Sequence, residues 1–281
     1  MISLVVISFV AAIVNGALGY GFSSIAVPLA LLVVDNRVLT PALVLLEIVL
    51  NAYVLWVNRA GLPKIWRRAA FVVIGLAPGV AIGTAVLTRV DPAWLKLGTF
   101  AALLPLLLLQ AVGFRRAIRA ERPASLALGA GVGALYAVTT ISGPPLAMFL
   151  NNQGYAKKQE FRAALGLIRS AECLFTAALY ARSGLFTGAS TSLLPYIVPS
   201  VIIGVPVGAW LIRQVREESF RRVCMSFDAA IVAFGASTLL RVLNVVDGSL
   251  AYLPFAAVLL FDAVVLYRFF RTPSSRVPTW A

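Results

Sequence analysis

Two interrupted apolar segments, set one above the other, limit the folds open to this sequence. Gly16-Ala17-Leu18 through Pro28-Leu29-Ala30 aligns without a gap with Gly133-Ala134-Leu135 through Pro145-Leu146-Ala147, at a constant offset of 117 residues. Both stretches are free of charge, and both place glycines, hydroxyls and a proline where an apolar helix should run unbroken. The breaks are Asn15-Gly16-Ala17-Leu18-Gly19-Tyr20-Gly21 and Thr139-Thr140-Ile141-Ser142-Gly143-Pro144-Pro145. An internal repeat headed by a broken hydrophobic segment points to a transporter site.

The setting for such breaks is a membrane. The 281 residues are 60% hydrophobic and 12% charged, against about 25% charged in a soluble domain. The net charge of +13 raises nucleic acid as a partner, but in a polytopic membrane protein excess Lys and Arg mark cytoplasmic loops, so no nucleic-acid partner is expected. Cys173 and Cys224 are isolated in apolar sequence and there is no histidine, which excludes a His proton relay and a His-ligated metal; neither a cofactor nor a metal site is expected. Met1 runs into apolar sequence with no basic leader and no small-residue cleavage site, so no cleavable signal is expected either.

Charged clusters divide the chain into nine apolar segments: 1–34, 38–58, 69–88, 93–113, 124–153, 161–181, 190–212, 220–240 and 249–267. Seven suit a ~30 Å hydrocarbon core, whereas 1–34 as one helix would reach ~51 Å. Charge decides how the long fifth segment sits. If both broken segments crossed once, Lys plus Arg would divide 13 against 10. If both are re-entrant, eighteen fall on one face, and only Arg37, Arg89, Lys96, Arg182 and Arg241 on the other, with Arg169 inside a span. That asymmetry is the positive-inside bias. No charge precedes Arg37, so the first hairpin rests on the repeat and on its length alone.

The expected fold is therefore an all-α polytopic membrane protein of two inverted repeats, each a re-entrant broken-helix hairpin plus three transmembrane helices, with one extra C-terminal transmembrane helix. The first repeat covers 1–113, a cytoplasmic linker 114–123, the second repeat 124–240, and the last helix with a short cytoplasmic tail 241–281. Gly75, Gly79 and Gly83 recur 125 residues later as Ser200, Gly204 and Gly208. Small residues at every fourth position let helices approach closely, either inside the fold, the preferred reading, or at a homodimer interface.

Ser23-Ser24 precedes the run from Ile25, and Ser142 precedes Pro144-Pro145. A hydroxyl followed by a first-turn proline is a helix start signal. A helix starting in mid-membrane offers unpaired N–H groups and a partial positive charge, which suits a small anion. Asn15, Tyr20, Thr139 and Thr140 stand close enough in sequence to complete such a site. Glu47, Arg169, Glu172, Asp228 and Asp262 lie inside spans, where each needs a partner or a wet cavity. Arg169 is a candidate substrate ligand and an alternative ion-pair partner of Glu172 three residues on. Glu47 can pair with Arg169 or carry a proton, and Glu47 and Glu172 are the proton-coupling candidates. Asp228 and Asp262, nearer span ends, read as structural. The basic loop clusters read as topology signals with some contact to anionic lipid.

These paired Gly-rich segments ending in Pro-Leu-Ala, each at the head of a half, resemble the sulfite exporter TauE/SafE family, the toluene sulfonate uptake permeases. The resemblance covers nearly the whole chain. It implies a multi-pass carrier in the bacterial inner membrane, moving sulfite or organosulfonates with an ion gradient and without enzymatic activity; the span count and the charge bias put the C-terminus in the cytoplasm. It carries Asn15, Gly16, Gly19, Gly21, Ser24, Thr140, Ser142, Gly143, Pro144 and Pro145 over as site positions. Leu18, Tyr20 and Thr139-Thr140 depart from the family's small-residue pattern. An anion channel and a carrier of small carboxylates stay open as alternatives, because helix N-termini bind sulfonate and carboxylate alike. An intramembrane enzyme is disfavoured: no Ser or Cys has an adjacent base in a recognisable arrangement.

Overall fold

The computed structural model describes residues 2–18, 21–112, 121–151, 158–214 and 217–271. The helices in chain order are α1 (Ile2–Leu18), α2 (Phe22–Ala30), α3 (Asn36–Val57), α4 (Leu62–Arg89), α5 (Pro92–Val112), α6 (Glu121–Thr139), α7 (Gly143–Asn151), α8 (Lys158–Arg182), α9 (Gly188–Thr191), α10 (Leu194–Leu211), α11 (Glu217–Val242) and α12 (Leu253–Arg271). No strand occurs among the described residues. Among the described residues, seven helices are long and apolar enough to cross a membrane, and they coincide with the seven unbroken segments read from the sequence. The two broken segments become α1 with α2 and α6 with α7. The expected Gly19 and Tyr20 fall outside the described residues.

The surface is inverted relative to a water-soluble protein. Ile74, Ile82, Ile202, Ile203, Leu260 and Phe270 are more than half exposed, while Ser23, Glu47, Ser142, Arg169, Glu172 and Asp228 are buried. Apolar side chains facing outward in this number require a lipid solvent, and the chain is a multi-pass membrane protein. Trp56, Trp66, Trp94 and Trp210, all exposed, stand near helix ends, where indoles sit at the membrane–water interface.

Glycine sets the closest approaches. A Cβ on Gly75, Gly79 or Gly83 would come within 2.3, 2.1 and 2.4 Å of the Leu126, Ala130 and Ala134 carbonyl oxygens of α6. The constant separation of these pairs makes α4 and α6 parallel. In the same way α10 lies along α1: Ser200 Oγ donates to the Val5 carbonyl (3.2 Å), Gly204 packs on Phe9 and Ala12, and Gly208 on Ile13. The two glycine rows therefore serve internal packing. Each row grips the first helix of the opposite half.

Two other pairs run antiparallel. Between α3 and α8, Leu55 meets Gly166 while Asn51 Nδ2 donates to Cys173 Sγ (3.2 Å). Between α5 and α11, Phe100 meets Gly235 while Arg222 Nη1 donates to the Ala111 carbonyl (3.4 Å). Contacts between helix ends define two faces of the bundle. At one, Lys64 pairs with Glu160 (3.6 Å), Arg122 lies over Phe71 (5.5 Å) and Arg222 over Phe269 (4.4 Å). At the other, Arg37 donates to the Leu87, Thr88 and Val90 carbonyls (2.9, 3.0 and 2.8 Å), capping the C-terminus of α4, and Lys96 pairs with Asp35 (2.7 Å).

Candidate functional site

A helix that stops inside a membrane strands backbone carbonyls, and the end of α6 shows how the sequence satisfies them. The Leu135 carbonyl accepts from Thr139 Oγ1 (2.7 Å), Tyr136 from the Thr140 amide (2.6 Å), Ala137 from the Tyr180 hydroxyl, and Val138 from Asn36 Nδ2 (3.3 Å). Thr140 holds a left-handed φ of 56°, which is strained for a β-branched residue. Its hydroxyl donates to the Thr139 carbonyl (2.7 Å), and Thr139 Oγ1 accepts from the Ile141 amide (3.0 Å). Thr139 and Thr140, expected as ligands, are thus committed to building the break. The first break turns at Gly21 (φ 102°), a conformation that favours glycine.

The helix that follows each break presents a serine to a buried carboxylate. At α2, Ser23 Oγ donates to Glu47 Oε1 (2.5 Å). At α7, Ser142 Oγ donates to Glu172 Oε2 (2.5 Å). Glu47 joins the two halves: Arg169 Nη2 pairs with its Oε1 (2.8 Å), and Tyr136 Oη donates to its Oε2 (2.9 Å). Tyr136 also touches Cys173 Sγ (2.9 Å). Arg169, 4% exposed, therefore bonds across to α3 rather than to Glu172 on its own helix. Two polar atoms in this dry cluster have no hydrogen-bond partner: Arg169 Nε and Glu172 Oε1. With both carboxyls ionised, the three charged groups sum to −1.

Among the expected site residues, Ser142, Arg169, Glu47 and Glu172 meet in one network. Others do not join it. Ser24 Oγ donates instead to the Gly21 carbonyl (2.9 Å), and it is Ser23, one residue earlier, that reaches Glu47. Gly16 is a packing residue, since a Cβ there would sit 2.0 Å from the Val205 carbonyl oxygen. Asn15 is buried in the last turn of α1. Gly143 opens α7, but Pro144 and Pro145 bring no N–H to its first turn, whereas the first turn of α2 carries the N–H groups of Phe22, Ser23 and Ser24. Sequence reasoning also missed Tyr136, Asn51 and Cys173. The one available signal was that Tyr136 lies one turn before Thr139, on the face that ends at the break. Asp228 and Asp262, read as span-end residues in reach of water, are buried, and none of their four oxygens has a hydrogen-bond partner.

A sequence model of the family described as Sulfite exporter TauE/SafE matches residues 4–235. The chain belongs to this family, and the match takes in both breaks and the whole Ser23–Glu47–Arg169–Ser142–Glu172 network, stopping short of α12. No curated protein and no solved structure matches the chain.

Proposed function

We propose that this TauE/SafE-family chain is a secondary carrier of small sulfur oxyanions, sulfite and organosulfonates, coupled to protons, in the bacterial inner membrane. The observation that carries the reading is the convergence of the two post-break serines, one from each half, on two carboxylates bridged to a single buried arginine. In its ionised form the cluster would repel an anion. Each proton taken up by Glu47 or Glu172 raises its charge by one, and a proton on Glu47 frees the Arg169 guanidinium to face substrate oxygens, which it can hold in its planar fork. Uptake of a proton and of an anion are favourable together, which is the requirement for coupling. The α2 amides and the Ser23 and Ser142 hydroxyls complete the oxyanion's donors.

Helix directions support the inverted arrangement of this site. The contact between Ala111 and Arg222 puts the end of α5 where α11 starts, and Lys64 with Glu160 puts the start of α8 beside the start of α4. With α3 antiparallel to α8, the intervening α6–α7 segment enters and leaves by one face. Because α10 is parallel to α1, the α1–α2 segment enters and leaves by the opposite face, a support that charge counting could not give. The face carrying Arg59, Lys64, Arg67 and Arg68 is assigned to the cytoplasm by the positive-inside bias, together with the C-terminus of α12. Rocking of one repeat against the other around the site gives alternating access.

The test is uptake of labelled sulfite and of a labelled small alkanesulfonate into proteoliposomes, with pH gradients of either sign and lactate as control. Accumulation of the sulfur anions under one gradient is expected. Equal, gradient-independent leak of all three would make the protein a channel, and accumulation of lactate alone would overturn the substrate.

A further inference from the structure

Outside the Arg169 network, the start of α2 touches a second acidic group. Asp228 on α11 is fully buried and lies against the Ser24 hydroxyl. Ser24 has one proton and gives it to the Gly21 carbonyl (2.9 Å), so what it turns toward Asp228 is lone pairs. Neither Asp228 oxygen has a hydrogen-bond partner. With the Ser24 proton given to the Gly21 carbonyl, Asp228 and Ser24 offer each other only acceptors in an apolar interior, and a positive particle is lacking between them. A hard cation such as calcium takes six or more oxygens, whereas these two side chains supply three, and among the described residues there is no group of three or more His, Cys, Asp or Glu placed to hold a metal. A proton on Asp228 completes the geometry: the carboxyl donates to Ser24 Oγ, which donates to the Gly21 carbonyl at the turn of the first break.

We propose that Asp228 is a proton-binding site separate from the Glu47–Arg169–Glu172 cluster, and that loss of its proton releases the first turn of α2. Ionised, the carboxylate needs a donor, and the nearest is the Ser24 proton. Turning that proton to Asp228 frees the Gly21 carbonyl, whose other bond, from the Ile25 amide, is long at 3.4 Å. The first turn of α2 then has little to hold it at the break. Other titratable groups near Asp228 are few. Cys224 stands one turn away on α11. Neither α1 nor α2 carries a charged side chain, and Lys96, at the start of α5, is paired with Asp35. On α12, Asp262 lies against Ser226, which is two residues from Asp228 and so about 200° around α11. Arg268 and Arg271 belong to the last turn of α12. That this proton contributes to transport coupling rests on the carrier reading; the link between the proton and the α2 turn does not.

The experiment is amide hydrogen exchange on the full chain in lipid nanodiscs from pH 6 to 8, corrected for the intrinsic rate. Wild-type protection over residues 22–26 is expected to fall by up to about tenfold per pH unit, the slope for one proton released on opening. Asp228→Asn, whose amide donates to Ser24 at every pH, is expected to keep its protection, and Asp262→Asn to lose protection as wild type does. Asp228→Glu guards against a folding defect and is expected to retain a pH-dependent loss. Wild-type protection that ignores pH, or Asp228→Asn protection that falls like wild type, overturns the proposal. Protection at pH 8 restored by sodium chloride and not by choline chloride would put a sodium ion in place of the proton and overturn it too. If the wild-type protein carries no sulfonate, the carrier reading fails while the exchange result stands.

Discussion

Replacing Arg169 by methionine removes the one cation of the buried cluster and leaves Glu47, 1% exposed, without its ion-pair partner. Breaking a buried pair from one side destabilises by about 3–5 kcal/mol, because the remaining charge is stranded. Glu47 keeps its bonds from Ser23 and Tyr136, so the lower end, about 3 kcal/mol, applies here. At roughly 2–4 °C per kcal/mol for a chain of this order of size, Arg169→Met should melt about 6–12 °C below wild type. Adding Glu47→Gln neutralises the stranded group; its one amide oxygen still accepts from Ser23 or Tyr136, and the other hydroxyl can turn to accept from the amide nitrogen. The double variant should therefore recover to within about 1 kcal/mol of wild type. Size-exclusion fluorescence after a temperature ramp, in one detergent and at one pH, reads both shifts. A single variant as stable as wild type, or a double variant no better than the single, would refute the argument that the pair is held by mutual charge compensation.

Glycines separate into two groups with opposite expected outcomes. Gly79→Ala and Gly208→Ala drive a Cβ to 2.1 and 1.9 Å from backbone oxygens and should abolish the monodisperse peak, whereas Gly98→Ala and Gly131→Ala, with nothing within 4 Å, should raise stability by about 0.5–1 kcal/mol. Ser142→Ala leaves both Glu172 oxygens without a partner; it should destabilise by about 1–3 kcal/mol and cut sulfonate uptake, measured side by side in proteoliposomes. Glu172→Gln fixes that position in a neutral form, so the KM for a sulfonate, whose own charge does not change with pH, should lose pH dependence that wild type shows. Arg37→Ala removes three bonds to the end of α4 and should lower the melting temperature without changing substrate preference in an uptake competition panel.

The membrane class and the seven unbroken spans were legible because they depend on segment length and on where charge is excluded, both local properties. The glycine rows were legible for a similar reason: spacing by four puts small residues on one helix face whatever the partner. Ser23 and Ser24 show where this ends. Both are first-turn hydroxyls, and which one meets Glu47 depends on the rotation of α2 about its axis, fixed by Gly21 and by packing. The partner of Arg169 was ambiguous in the same way, since Glu172 is close in sequence but Glu47 is close in space. Tyr180 and Asn36 were invisible as builders of the second break because their role is to answer carbonyls that exist only once α6 stops. Asp228 looked like a span-end residue from its distance along α11, and only the packing of α2 against that helix shows it to be sealed.

The central claim is that Arg169, released from Glu47, is the cation that holds the substrate anion. Equilibrium binding of a labelled small alkanesulfonate to the purified protein tests it most directly, comparing wild type with the charge-balanced Arg169→Met/Glu47→Gln variant. The double variant should fold and melt near wild type yet bind at least about tenfold more weakly, the effect of losing about 1.4 kcal/mol from one charge-assisted contact. A well-folded double variant that binds the sulfonate with wild-type affinity would contradict the assignment of the site.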